Sequence, residues 1–186
     1  LSHLAVEAAH QKGAKVLITV DCGVSSIAET DDAHERGMDV IVVDHHALPP
    51  KLSDYAMILH PDAPGETYPF KRLAAVGVAF KFACGLAALA RERKLTVPNG
   101  FEKWLLDLVS IATVTDIVPL IGENRVLEKF GLVVLRKTKR PGFRAIFDSA
   151  RLDPALIDAR SIGFMIGPRI NAAGRMRHAK LAFDTL

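Results

Sequence analysis

Residues 15–46 read KVLITVDCGVSSIAETDDAHERGMDVIVVDHH, and the two apolar runs in this stretch decide the fold. Lys15 to Val20 and Val40 to Val43 are β-rich and of strand length. Between them, Ser25 and Ser26 can cap a helix that runs to about Arg36 and is closed by Gly37. Strand, helix and strand at this spacing make a crossover unit, which is almost always right-handed and leaves its strands parallel. Asp21 ends the first run and Asp44-His45-His46 ends the second, so both emerge at one edge of one sheet. In an open parallel sheet that edge is where ligands bind.

Outward from this unit, helical periodicity over Leu1 to Lys12 stops at Gly13. A third strand, Ala56 to Leu59, stops at His60-Pro61 and enters a turn-rich loop through Pro64-Gly65 and Pro69. A long helix follows over roughly Leu73 to Arg93. An apolar segment, Leu105 to Val114, reads as a helix starting near Phe101, and it delivers Asp116 just before Pro119. Residues 123–140 read as an amphipathic helix ended by Pro141-Gly142, and Asp153-Pro154 as an N-cap with proline in the first turn. The tail from Gly167 is too glycine-punctuated to be one uninterrupted helix. The expectation is an α/β protein: a parallel-sheet domain with flanking helices over 1–122, then a helical, basic connecting segment over 123–186.

The 186 residues are 49% hydrophobic with positive mean hydropathy, which suits a substantial core and excludes a disordered chain. No apolar stretch has the length of a membrane span, and no basic n-region with a short apolar core marks a signal peptide. Cys22 and Cys84 offer no disulfide framework and no CxxC pair, so a reducing compartment, the cytoplasm, is expected. The chain opens at Leu1 and closes at Leu186 inside amphipathic patterns and reads as a piece of a longer protein. Residues 1–124 hold 11 Lys/Arg against 16 Asp/Glu, a net of −5, and residues 125–186 hold 13 against 5, a net of +8. An acidic, metal-type half is joined to a basic, anion-binding half; the plainer reading is two solvated faces.

Several residues can carry chemistry. Asp21 stands beside Gly23, which allows a sharp turn, and a lone Asp there would more often serve the turn. Its interest comes from partnership with Asp44 and His45, because carboxylates with imidazole suit a divalent ion such as manganese, whereas structural zinc more often recruits thiolates. His45 and His46 leave the strand on different sides, so one can bind metal while the other faces substrate, with Asp44 orienting an imidazole ring. Asp116 is set among apolar neighbours, which argues for a metal, a basic partner or an exposed loop. Arg169, Asn171, Arg175 and Arg177 surround Gly167 and Gly174, a composition that can clamp phosphate or simply lie in solvent. Cys22 is assigned to packing, and His10, His34, His60 and His178 to surface or turn positions.

Taken together, Thr19-Val20-Asp21-Cys22-Gly23, Asp44-His45-His46, residues 74–80 (AAVGVAF), residues 113–120 (TVTDIVPL) and residues 167–175 (GPRINAAGR) resemble, in order, the motifs of the DHH phosphoesterase superfamily. The last motif narrows the resemblance to the RecJ-like, single-stranded-DNA-specific exonucleases. The resemblance implies that Asp21, His45 and Asp116 are metal ligands, Asp21 bridging two divalent cations, manganese or magnesium. It implies that His46 faces the scissile phosphate with Asp44 in support, and that Arg169, Asn171, Gly174 and Arg175 line the nucleic-acid path. The implied activity is 5′ to 3′ hydrolysis of single-stranded DNA in repair and recombination. The implied partners are single-stranded DNA and a single-stranded-DNA-binding protein or helicase, with a monomeric enzyme and no membrane. The family's Asp-x-Asp strand is expected upstream of Leu1 and its C-terminal substrate domain beyond Leu186, so this chain alone is expected to bind metal weakly and to lack nuclease activity. Two alternatives remain: a DHH phosphoesterase acting on oligonucleotides, cyclic dinucleotides or pyrophosphate, and a non-catalytic nucleic-acid-binding scaffold.

Overall fold

A computed structural model describes residues 1–176, 180, 183 and 184. Contacts divide the chain into two units, Leu1–Phe82 and Ala83–Leu186, each with its own apolar core.

In the first unit the order is α1 (His3–Gln11), β1 (Val16–Val20), α2 (Ile27–Glu35), β2 (Asp39–Val43) and β3 (Ala56–Leu59), followed by the start of α3 (Ala75–Glu92). The strands are parallel in the order β1-β2-β3, with Val20 opposite Val43 and Val43 opposite Leu59. The expected crossover unit is therefore present, and β2 is the central strand. Val40, Val42 and Val43 are buried, and Val40 and Val42 join Val6, Val24, Ala33 and Met38 in the core. β1 lies at the sheet edge, and its Val16, Ile18 and Val20 are about half exposed on one face.

The second unit holds most of α3, then α4 (Phe101–Trp104), α5 (Leu106–Thr115), α6 (Gly122–Leu135) and α7 (Pro141–Ser149). A 3₁₀ turn (Pro154–Leu156), a one-turn α8 (Ala159–Ser161), a π-helical turn (Ile162–Ile166) and α9 (Gly167–Met176) complete it. Its core gathers Ile111, Leu135, Phe143, Ile146, Phe147, Ile157, Ile162 and Ile166. Among the described residues no helix is long and apolar enough to cross a membrane.

Two sequence expectations need correction here. The helix expected over 123–140 stops at Leu135, and Pro141 opens α7 instead of ending its predecessor. Proline has no N–H to lose at the first helical position, so the same residue punctuates both ends of a loop. The tail expected to be interrupted runs as one helix, α9, through Gly174. A mid-helix glycine costs only about 1 kcal/mol relative to alanine, and Ala172 and Ala173 are strong helix formers.

α5 and α6 cross closely at Gly131, where an added Cβ would stand 2.5 Å from the Leu106 carbonyl oxygen and 2.5 Å from the Ser110 Cβ. Backbone cannot move aside as a flexible side chain would. Gly131→Ala is expected to destabilise the second unit by about 1–3 kcal/mol through overpacking, measured as a shift in urea midpoint; an unchanged midpoint would contradict this crossing geometry.

Candidate metal centre

The parallel ladder continues one residue beyond each strand. The Asp21 N–H donates to the Val43 carbonyl at 2.9 Å and the Asp44 N–H to the Leu59 carbonyl at 3.1 Å. Two aspartates are thereby fixed at the carboxyl edge of the sheet. Asp21 adopts φ +61°, a left-handed conformation that short polar residues tolerate better than most. Gly23 follows at φ +111°, and a Cβ there would lie 2.6 Å from Thr19 Oγ1, so glycine is what this turn requires.

Asp44 is 1% exposed and its carboxylate collects four N–H donors. Oδ2 accepts from the Val24 N–H at 3.0 Å. Oδ1 accepts from the His45 N–H at 2.8 Å and the His46 N–H at 3.2 Å, and sits 2.7 Å from His46 Nδ1. Burial pushes this carboxyl up, but the hydrogen bonds from Val24, His46 and His45 outweigh it and hold the pKa below the ordinary aspartate value. Asp44 thus shapes the turn that carries both histidines and orients the ring of His46. The sequence left open which imidazole it would orient.

His45 and His46 do leave the strand differently. The His45 side chain is 16% exposed and that of His46 57%. Their rings meet edge to face, with centroids 4.8 Å apart and an interplanar angle of 62°. His45 Nε2 lies 3.4 Å from Asp21 Oδ1. A carboxylate oxygen of Asp21 and one nitrogen from each histidine all fall within 4.8 Å of one another. Two imidazoles and a carboxylate, without thiolate, form a donor set that fits a divalent ion such as manganese.

The remaining predicted residues lie in the second unit. Asp116 is the C-cap of α5, with its N–H bonded to the Ala112 carbonyl at 2.9 Å, and its side chain is intermediate in exposure. The next residue, Ile117, has φ +59° and is 88% exposed. A β-branched residue in that conformation is a true outlier and stores roughly 1–3 kcal/mol. Arg169 and Asn171 are exposed on α9, and Arg169 Nη1 donates to the Met165 carbonyl at 2.7 Å. Gly174 and Arg175 belong to the same helix. Arg177 and His178 lie outside the described residues.

Two readings of single residues change. Cys22 is exposed and does not serve packing. His60, assigned to a turn or surface, is 5% exposed and braces the motif: its Nδ1 accepts from the Asp62 N–H at 3.0 Å while Nε2 lies 2.8 Å from the His46 carbonyl. An N–H donor on one ring nitrogen and a carbonyl at the other select the Nε2–H tautomer. The His60-Pro61 strand stop was the only local signal of this brace.

Comparison with known proteins gives a consistent picture. The DHH family, N-terminal domain, matches residues 3–113. The single-stranded-DNA-specific exonuclease RecJ of Dickeya dadantii is 42% identical over 193 residues, covering 100% of this chain and 33% of that protein. RecJ of Bacillus subtilis is 41% identical, covering 95% of this chain and 21% of that protein. The crystal structure of RecJ from Thermus thermophilus in complex with Mn2+ superposes with a TM-score of 0.79 at 32% identity, over 100% of this chain and 26% of that one. The chain spans a third or less of the length of these relatives.

Proposed function

This chain belongs to the DHH family, and on that premise we propose that it is the metal-binding portion of a single-stranded-DNA-specific exonuclease that hydrolyses phosphodiester bonds from the 5′ end. The observation that carries the reading is the convergence of Asp21, His45 and His46 within 4.8 Å at a sheet edge, above a buried, four-times hydrogen-bonded Asp44.

In this reading Asp21 and His45 hold divalent cations, manganese or magnesium. Asp116 is assigned to the same role on the likeness of its motif alone. A bound cation would supply Lewis-acid charge and lower the pKa of its water. The chain's own residues do the rest. Asp44, fixed by three backbone N–H groups, holds Nδ1 of His46, so that His46 acts through Nε2 on the scissile phosphate. Asp44 stays anionic because its donors favour that form, which keeps the imidazole in one orientation. Arg169, Asn171, Gly174 and Arg175, on α9 within the basic segment 123–186, contact the phosphodiester backbone; guanidinium suits that work through paired N–H donors. Cys22 and Cys84 form no disulfide among the described residues, which agrees with a cytoplasmic setting. A monomer acting with a single-stranded-DNA-binding protein or a helicase completes the proposal.

The test is digestion by the full-length protein of a long single strand, a matched duplex and a dinucleotide, with and without manganese. Manganese-dependent release of mononucleotides from the single strand is expected. Hydrolysis of the dinucleotide alone would move the assignment to a small-substrate phosphoesterase, and binding without turnover to a scaffold.

A further inference from the structure

The loop between α6 and α7 reads Arg136-Lys137-Thr138-Lys139-Arg140, four cations in five residues, and belongs to none of the motifs above. Its centre is pinned from below. Thr138 is 4% exposed and Asp107 2% exposed; the Thr138 hydroxyl donates to Asp107 Oδ2 at 2.8 Å, and Arg140 Nε donates to the same oxygen at 3.1 Å. That pair cancels the charge of Arg140 and holds the loop in one shape.

The other cations are arranged differently. Arg136 donates through Nε and Nη2 to the Ile157 carbonyl at 2.9 and 2.7 Å, and Arg144 through Nε to the Thr138 carbonyl at 3.2 Å. A neutral carbonyl orients a guanidinium without cancelling its charge, and leaves the remaining N–H donors of the fork for a ligand. Among the described residues, Arg136, Lys137, Lys139 and Arg144 form no salt bridge within 4 Å, and Glu128 acts on Arg136 only at longer range. Arg136, Lys137 and Arg144 line a cavity of about 360 Å³, in which Asp148 is the single acidic side chain. Across Thr138 a second cavity of about 490 Å³ is lined by Lys139, Arg140 and Trp104. Trp104 is 47% exposed, with Lys139 Nζ 5.7 Å from its ring centroid.

We propose that this loop, with Arg144 and Trp104, is a second nucleic-acid-binding subsite: phosphates engage Arg136, Lys137 and Arg144 while a base stacks on Trp104. The inference rests on the reading of the substrate as single-stranded nucleic acid. Pre-oriented guanidinium groups match phosphate oxygens in pairs, and an exposed indole beside a cation is a sequence-tolerant platform for an unpaired base. An acidic peptide would use the charges but would have no need of the ring. None of these residues is shared with the Asp21, His45 and His46 cluster or with α9.

Trp104 is the one tryptophan of the 186 residues, so its fluorescence reports on the subsite directly. The chain is titrated with (dT)20 in EDTA, which removes hydrolysis from the measurement. Saturable quenching is expected, with affinity falling as salt rises by a log–log slope of about 0.7 per phosphate engaged. An abasic oligonucleotide should bind with little quenching. Arg136→Gln with Arg144→Gln should weaken binding at least tenfold and flatten the slope. Because Arg136 also holds the Ile157 carbonyl, Lys137→Gln with Lys139→Gln serves as a pair that removes no backbone hydrogen bond, and the same direction of change is expected. Equal affinity and slope in both pairs, or no quenching by (dT)20, would overturn the subsite. Competition by polyglutamate as strong as that by (dT)20 would also overturn it, in favour of an acidic protein partner. Digestion of single strands by the full-length protein decides the substrate reading separately, so either can fail alone.

Discussion

Asp44→Ala is expected to remove about 3–5 kcal/mol from the stability of the first unit and to abolish manganese binding with it. The carboxylate is 1% exposed and is the shared acceptor for the backbone N–H groups of Val24, His45 and His46 and for Nδ1 of His46. Truncation strands three backbone donors at once, each with a desolvation cost of about 1–3 kcal/mol, while hydrogen bonds to a charged acceptor are among the stronger ones. The neighbouring turn can relax to recover part of the loss, which sets the lower figure. Urea unfolding measures the effect, and a change below about 1 kcal/mol would show that Asp44 does not organise the turn. The pH dependence has a definite sign. The folded pKa is lowered, so the contribution of Asp44 is present above the ordinary aspartate value of about 3.9 and is lost as pH falls through the folded value. An acid titration of stability should show this loss in the native chain, and Asp44→Ala should lack that component.

The crossover unit was legible because its evidence is local: two β-branched runs, serines at the start of a helix and Gly37 at its end. The edge position of Asp21 and Asp44 followed from topology, and the observed ladder bonds of Asp21 to Val43 and Asp44 to Leu59 confirm it. What sequence could not show was carried by bonds across loops. His60 braces the His46 carbonyl from fourteen residues away, and Thr138 reaches Asp107 across thirty-one. No periodicity encodes such pairs. Glycine and proline misled twice in the second unit, since Pro141 begins a helix and Gly174 does not break one. Punctuation residues state where a backbone can turn; packing of Phe143, Phe147 and Ile166 into the core decides whether it does. Exposed Cys22 has the same lesson, because alternation holds only while the strand continues, and β1 ends at Val20.

Asp21→Asn is expected to leave the fold intact and to lower manganese-dependent hydrolysis by the full-length protein about a thousandfold. Asparagine matches aspartate in shape and tolerates φ +61° as readily, whereas alanine there would add backbone strain to the loss of charge. The variant therefore isolates the anionic oxygen that faces His45 Nε2 at 3.4 Å. Loss of one charged ligand removes several kcal/mol of cation-borne stabilisation, and about 4 kcal/mol corresponds to a thousandfold in rate. His45→Gln should behave the same way, with activity and metal affinity falling together. His46→Gln should separate the two, because in the proposed arrangement His46 serves the phosphate: turnover falls sharply and manganese affinity much less. Manganese titrations followed by water-proton relaxation supply the affinity, and initial rates on a single-stranded oligonucleotide supply the turnover. If His46→Gln lost affinity as completely as Asp21→Asn, His46 would be a third ligand of the cluster, and the proton or charge at the phosphate would have to come from another residue. If Asp21→Asn kept wild-type affinity and rate, the cluster at the sheet edge would not be the metal centre at all.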